Sequence, residues 1–309
     1  MYNQEIKERF LREYTSTKNK AGTSVHFMFD SIGVYESEMQ MDISTMSVKD
    51  AIKAISHVNI GTYRTATTVA TDLKAYVKWC ARHSVFSNVC TELLSIKVDN
   101  IDISGNLSKI LFNDEDDLVS CLKSTRPFDD GYYDVVVAVF LWLGISQSQM
   151  MNIKIDDVDL DNCRIRVENV FIPMSRKLSE ILSLYSKTKS GTRMNKNGPR
   201  VVYRDDSYDL FIRRFSPPSQ LGKRLTKSQI EDAIYLLNKA YVELGNEPKL
   251  TSGNILSSGA LCRVRELEDS GVDVLSVKNK DAIISAFRIP AKPHEITWLY
   301  KNYKKALKL

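Results

Sequence analysis

Apolar residues recur at helical spacing along most of the chain. Ile6, Phe10, Leu11 and Tyr14 share one face of "NQEIKERFLREY", and similar spacing runs through "VHFMFDSIGVYESEM" and "SVKDAIKAISHV". The stretch "TYRTATTVATDLKAYVKWCARHSVF" continues the pattern, with Val69, Leu73, Tyr76 and Val77 on an apolar stripe and Lys74 and Lys78 beside it. These segments predict a small helical bundle. The period fails over residues 98–109, where Ser104-Gly105-Asn106 reads as a linker. The chain therefore divides into an N-terminal domain over residues 1–105 and a second domain over 110–309.

The second part opens with a capping-type start at Asn113-x-x-Asp116. It continues through "DLVSCLKS" to "DDGYYDVVVAVFLWLG", which reads as a buried helix that stops at Gly144 as helices commonly do. A short helix is expected over 147–153. The alternation of Ile165 and Val167, then Val170 and Ile172, about Glu168-Asn169 predicts a β-hairpin, with "LSEILSLY" as the helix that covers it. Residues 187–227 read as a basic, loop-rich segment, with eleven Lys and Arg against Asp205, Asp206 and Asp209. Helices resume at the capping box Thr226-x-x-Gln229, with interruptions expected at Gly245, Gly253, Gly271 and Pro290. The fold class is mainly α with a small β-sheet (α+β).

Composition narrows the function classes. With 43% hydrophobic and 26% charged residues in a chain of 309, the sequence is neither disordered nor a membrane protein, and its longest apolar run is too short to span a bilayer. The start "MYNQEIKERFLREY" has no apolar leader, so a cytoplasmic location is expected. Five cysteines without C-x-x-C spacing read as reduced, and four histidines at no ligand spacing give no metal site and no cofactor. The net charge of +5 points mildly to an acidic partner.

The segment Gly144 to Leu160, "GISQSQMMNIKIDDVDL", resembles the tyrosine recombinase (phage integrase) pattern Gly-Leu-Arg-x-x-Glu-Leu-x-x-Leu-x-x-x-Asp-Ile-Asp without a gap. Gly144, Ile145, Met150, Ile153 and Asp157-Val158-Asp159 fall in register. Ser146 stands at the first catalytic Arg position and Gln149 at the Glu position. The segment "LTSGNILSSGALCRVRELEDSGVDV" is similar to the Leu-Thr-x-His-x-Leu-Arg-His helix, with Gly253 at the His position and Leu256 at the second Arg position. The family's catalytic Lys has no counterpart in the Glu168-Asn169 turn. The resemblance implies an N-terminal helical core-binding (SAM-like) domain followed by a tyrosine recombinase catalytic-type domain. It also implies double-stranded DNA as the partner and allows a homo-oligomer on that DNA.

Phosphoryl transfer to a tyrosine hydroxyl needs donors that grip the nonbridging phosphate oxygens, and losing one preorganised donor costs about 3 kcal/mol or more. Serine and leucine supply no such grip, so strand cleavage is expected to be slow or absent. The resemblance gives "HEITWLYKNY" as the carrier of the remaining catalytic candidates, His294 and Tyr303, with Tyr300 competing for the nucleophile's place. Ile296, Leu299 and Tyr303 also form the stripe of an ordinary amphipathic helix, which makes Tyr303 a core residue instead. Arg263, Arg265 and Arg288 lie near the altered positions, and Arg263 and Arg265 read as solvent-facing or as ordinary phosphate contacts.

DNA affinity survives such losses better, because it sums many phosphate contacts. The candidate surface is Arg193, Lys196, Arg200, Arg204, Arg213, Arg214, Lys223 and Arg224, with Lys74, Lys78 and Arg82 on the N-terminal bundle. The leading function is a DNA-binding protein with the tyrosine recombinase/integrase fold, catalytically impaired and acting in or derived from DNA integration or recombination in a mobile element. Two alternatives stand beside it. One is an active site-specific recombinase with a divergent active site using Tyr303 or Tyr300. The other is an interaction protein that keeps the fold and has lost DNA.

Overall fold

A computed structural model describes residues 1–18, 23–125, 133–195, 198–247, 249–288 and 292–308. The chain is mostly helical and carries two small antiparallel sheets. It separates into two compact units: Met1–Lys109 with Thr297–Leu309, and Ile110–Ile296. The division falls four residues beyond that read from the linker composition, and residues 297–309 group with the N-terminal unit instead of the second domain.

The first unit is built on α1 (Gln4–Lys18), α2 (Thr23–Met39), α3 (Val48–Ser56) and α4 (Tyr63–Arg82). Ser47 caps α3 through the Asp50 N–H, and Thr62 caps α4 through the Thr65 N–H, which satisfies amides that the first turn leaves unpaired. The apolar stripes meet in an aromatic cluster in which Phe10 lies 5.2 Å from Tyr76 and Phe29 lies 4.9 Å from Tyr76, both edge to face. Lys74 is half-buried beside this stripe, while Lys78 and Arg82 are exposed.

Polar groups inside this core are paired. Asp42 accepts from the Tyr76 hydroxyl at 3.0 Å, and Asp72 from the Tyr14 hydroxyl at 2.9 Å. Lys7 and Glu36 form an ion pair with both side chains 0% exposed, and Glu36 also accepts the Ile43 N–H at 2.9 Å. Burial pushes the Glu36 carboxyl up to about 7, against the pull of Lys7.

Residues 104–106 are not a linker. Asp102 accepts the Ser104 N–H and starts the helix α5 (Ser104–Ile110), Leu107 is fully buried, and the Asn106 side chain donates to the Ser56 and Val58 carbonyls. The Ser-Gly-Asn composition that suggests a joint serves here as a helix start with a bonded asparagine.

The second unit packs α6 (Glu115–Thr125), α9 (Arg176–Lys187), α10 (Lys227–Glu243) and α11 (Ser252–Asp269) around α7 (Tyr133–Trp142), in which every residue from Asp134 to Trp142 is buried. The start of α6 lies one residue later than the spacing suggests: Asp114 accepts the Asp117 N–H, and Asp117 answers the Asn113 N–H. The short helix α8 (Gln147–Met150) ends three residues before the expected 153. Strands β1 (Val158–Asp159), β2 (Arg164–Val167) and β3 (Val170–Pro173) form the first sheet. The β2–β3 turn is Glu168-Asn169 with φ of 48° and 70°, the paired left-handed residues of a tight hairpin.

The basic segment is loop only in part, since residues 205–214 and 217–226 lie outside its strands and α-helices. It folds into β4 (Ser190–Asn195), β5 (Gly198–Arg204) and β6 (Phe215–Ser216), a second antiparallel sheet in that order. Lys196 and Pro290 lie outside the described residues. Thr226 and Gln229 cap α10 reciprocally, as the spacing predicts, whereas Gly253 sits inside the first turn of α11 and does not interrupt it. The chain ends with α12 (Lys280–Phe287) and α13 (Pro293–Leu307). Among the described residues no helix is long and apolar enough to cross a membrane.

Removing one member of a buried ion pair leaves an uncompensated charge at a cost of about 3–5 kcal/mol, whereas replacing both by apolar groups is close to neutral. Lys7→Met should therefore destabilise the protein by that amount in chemical denaturation. Lys7→Met combined with Glu36→Leu should recover most of the loss; no recovery would mean the pair is not what costs the single variant.

Candidate functional site

The turn after the buried helix α7 carries the positions where the sequence pattern expects charge. Gly144 takes φ +82°, and the N–H groups of Gly144 and Ile145 return to the carbonyls of Leu141 and Phe140 at 2.9 Å each. Ser146 then caps α8 (Gln147–Met150). Its hydroxyl accepts the Gln149 N–H, and the Gln149 side chain accepts the Ser146 N–H at 2.9 Å. The polar turn therefore has an occupation of its own: Ser146 and Gln149 close a capping box.

The two positions on α11 behave differently. Gly253 is exposed, and a Cβ placed there would meet nothing within 4 Å. Leu256 is half-buried and packs against the core of its unit. Neither position holds a group able to bind an oxyanion.

Arg263 is not solvent-facing. Its Nε donates to the Ala286 carbonyl at 2.7 Å and its Nη1 to the Trp142 carbonyl at 2.6 Å, so one guanidinium ties together the ends of α7 and α12. Arg288, a left-handed residue with φ 56°, donates its Nη1 to the Leu143 carbonyl at 3.2 Å. Burial, and then the neighbouring Arg288 charge, lowers Arg263 to about 10; burial lowers Arg288 as well. A Cβ on Gly144 would come within 2.9 Å of both arginine side chains, so glycine is required there by space as well as by φ.

Tyr303 and Tyr300 are 0% and 1% exposed, with ring centroids 6.1 Å apart, and both belong to the first unit. There the last helix is held by Asn302, which accepts the Ile103 N–H at 3.1 Å, and by Trp298, which donates to the Val98 carbonyl at 3.3 Å. His294 is exposed in the first turn of α13.

The basic segment divides into structural and exposed charges. Asp206 sits between Arg204 and Arg213, whose side chains are only 11% exposed. Arg204 also donates to the Ser186 carbonyl at 2.6 Å, and Arg213 to the Leu210 carbonyl at 2.7 Å. These two arginines, expected on the binding surface, are consumed by the fold of their own segment. Arg214 donates to Gln220 and lines a cavity of about 350 Å³ with Tyr133, Phe215, Gln229, Asp232, Tyr235 and Leu236. Arg200, Lys223 and Arg224 are exposed, with Arg224 over the Tyr208 ring at 5.6 Å. Arg193 lies within β4. The organising role of Asp205 and Asp206 was missed in the sequence, although two adjacent carboxylates inside a basic run are the signal for it.

The model of the family described as "MrpR, N-terminal core-binding domain" matches residues 1–82. Among solved structures, the chain is similar to the XerA recombinase at 16% identity and TM-score 0.42, covering 98% of this chain and 96% of that one. It is also similar to the Tn1549 transposon integrase in complex with a circular intermediate DNA at 14% identity and TM-score 0.39, covering 96% and 94%. No curated protein matches the chain.

Two outcomes follow from the local geometry. Ser146→Ala removes the cap of α8 and should cost about 1 kcal/mol in thermal or chemical denaturation. The hydrogen bond from Arg204 first, and that from Arg213, hold the Asp206 carboxyl below the usual carboxylate range. Its stabilisation is therefore complete above the unfolded value and lost as pH falls through the lower folded value. Asp206→Asn should lower Tm at neutral pH and flatten its decline on acidification; parallel pH–Tm curves would refute the linkage. Residues 1–82 are similar to the MrpR N-terminal core-binding domain.

Proposed function

We propose that this chain is a duplex-DNA-binding protein on a tyrosine recombinase-type scaffold whose strand-cleavage chemistry has been lost, acting in or derived from DNA integration or recombination. The observation that carries the reading is the occupation of the emptied positions. Ser146 is engaged in a capping box, Leu256 packs into the core and Gly253 has no side chain. Two guanidinium clamps account for a large part of the electrostatic stabilisation such a transition state needs, and their joint absence removes more than the ~3 kcal/mol of one donor. Arg263 and Arg288 do not refill the role, because their hydrogen bonds go to helix carbonyls. A buried tyrosine hydroxyl adds to the case: neither Tyr303 nor Tyr300 has a solvent-accessible side chain in this state.

The DNA side rests on the core-binding description of residues 1–82 and on exposed cations in both units: Lys78 and Arg82 in one, and Arg200, Lys223 and Arg224 in the other. The proposed domains are residues 1–105 for core binding and 110–309 for the catalytic-type part, with duplex DNA as partner and a homo-oligomer as the assembly on it.

A nicked suicide duplex that traps covalent intermediates, incubated with wild type, Tyr303→Phe and Tyr300→Phe, should give no adduct with any of the three. Binding to an intact duplex should fall by orders of magnitude between low and moderate salt, as counterion release requires for several phosphate contacts. An adduct lost with one tyrosine would overturn the impaired-enzyme reading and name the nucleophile. Salt-independent or absent binding would overturn the DNA reading.

A further inference from the structure

The charges on α10 (Lys227–Glu243) are arranged against the stability of that helix. Its first turn carries Lys227 and no acidic residue, and its last turn carries Glu243 and no basic one, the reverse of what the helix dipole favours. The two ion pairs along its surface, Lys227–Glu231 and Lys239–Glu243, are 3.9 Å each and set the lysine before the glutamate, the weaker order for a pair four residues apart. All four side chains are more than half exposed.

These residues and Tyr235 recur at every fourth position, Lys227, Glu231, Tyr235, Lys239 and Glu243, and so form a single ridge along the helix. About Tyr235 the charges are opposite at each distance: Glu231 and Lys239 stand one step away, Lys227 and Glu243 two. Such a row complements its own reverse. At its centre Tyr235 is 67% exposed and Leu236 43%, and Val242, two turns further along the same face, is 40% exposed. Tyr235 and Leu236 also line the cavity of about 350 Å³ together with Tyr133 and Phe215. Apolar residues that stand out singly are ordinary, whereas a tyrosine and a leucine side by side on an apolar-lined cavity make a continuous contact surface.

We propose that α10 pairs with α10 of a second copy of this chain, in antiparallel sense about a two-fold axis beside Tyr235. Two helices that cross at about 50° bring ridges of this kind parallel to one another. Glu231 of each copy then lies beside Lys239 of the other, with Lys227 and Glu243 approaching at the two ends of the row. The Tyr235 and Leu236 side chains of both copies meet at the centre and cover the cavities. Parallel pairing would instead set lysine on lysine and glutamate on glutamate, so the charge order selects the antiparallel sense. A two-fold contact uses the same patch on both copies and closes at two. This rests on the homo-oligomer in the reading above and gives that assembly its surface, and the contact itself needs no DNA.

The test follows the full chain by sedimentation velocity without DNA over a roughly hundredfold range of concentration. Wild type should pass from monomer to dimer and stop there, and the dimer should weaken as salt rises. Glu231→Lys meets the second copy's Lys239 with a like charge, and Lys239→Glu meets its Glu231 in the same way, so each variant alone should associate about tenfold more weakly. Mixed in equal amounts, the two variants should dimerise as wild type does, because each supplies the charge that the other lacks. Glu180→Lys, the same reversal on α9, should leave association unchanged. Variants that stay monomeric when mixed, or a wild-type dimer that neither reversal disturbs, would overturn the α10 contact and leave the homo-oligomer to another surface. A wild type that is monomeric when free at every concentration would also overturn the contact, and one that is monomeric on a saturating duplex as well would overturn the homo-oligomer with it.

Discussion

A helix buried on every side has to end inside the protein, and its last four carbonyls need donors there. In α7 all four are answered. The N–H groups of Leu143, Ile145 and Gly144 return to Val139, Phe140 and Leu141, and the Arg263 side chain reaches Trp142, while Arg288 donates to Leu143 one residue beyond the helix. The close approach of α11 makes this possible: a Cβ on Gly259 would run into the Trp142 carbonyl, so only glycine lets the helix carrying Arg263 come near enough. The packing of the second unit hangs on this junction, since α7 is its central element.

The same junction constrains what the second unit can do. Arginine is the side chain best suited to gripping phosphate oxygens, and two of them lie beside the turn where the sequence pattern expects such a grip. Their hydrogen bonds run to backbone, and burial favours the neutral form enough to bring Arg263 to about 10. A guanidinium turned towards helix ends is structural. The adjacent turn uses its serine and glutamine to start the next helix.

A comparable division of labour marks the basic segment. Asp205 and Asp206 draw Arg204, Arg213 and the Lys223 backbone into a bonded base, while the Arg200 and Arg224 side chains stay exposed. In the first unit, Asp42, Asp72 and the Lys7–Glu36 pair hold polar groups in an aromatic core without leaving them unsatisfied. In each case a carboxylate decides where a cation or hydroxyl points, and charge counted along the sequence overstates the charge available to a partner.

Periodicity was enough to locate α2, α3, α4 and α7, the β2–β3 hairpin about Glu168-Asn169 and the capping box of α10, because these depend on residues within a few positions of one another. The family resemblance around Gly144 was legible for the same reason, as a gapless local pattern. The helix at Ser104 was not, since what holds it is Asn106 bonding to Ser56 and Val58, far back in the chain. Nor was the second sheet, whose strands mix arginine, glycine and proline and lack clean alternation. The sequence by itself determined which side chains stand at each position, and so that no guanidinium stands at 146 or 256. Only the tertiary structure decided that Arg263 and Arg288 serve helix ends, that Arg204 and Arg213 turn inward and that Tyr300 and Tyr303 are buried. A side chain's partner is set by elements distant in sequence, and burial then fixes whether it can meet anything else.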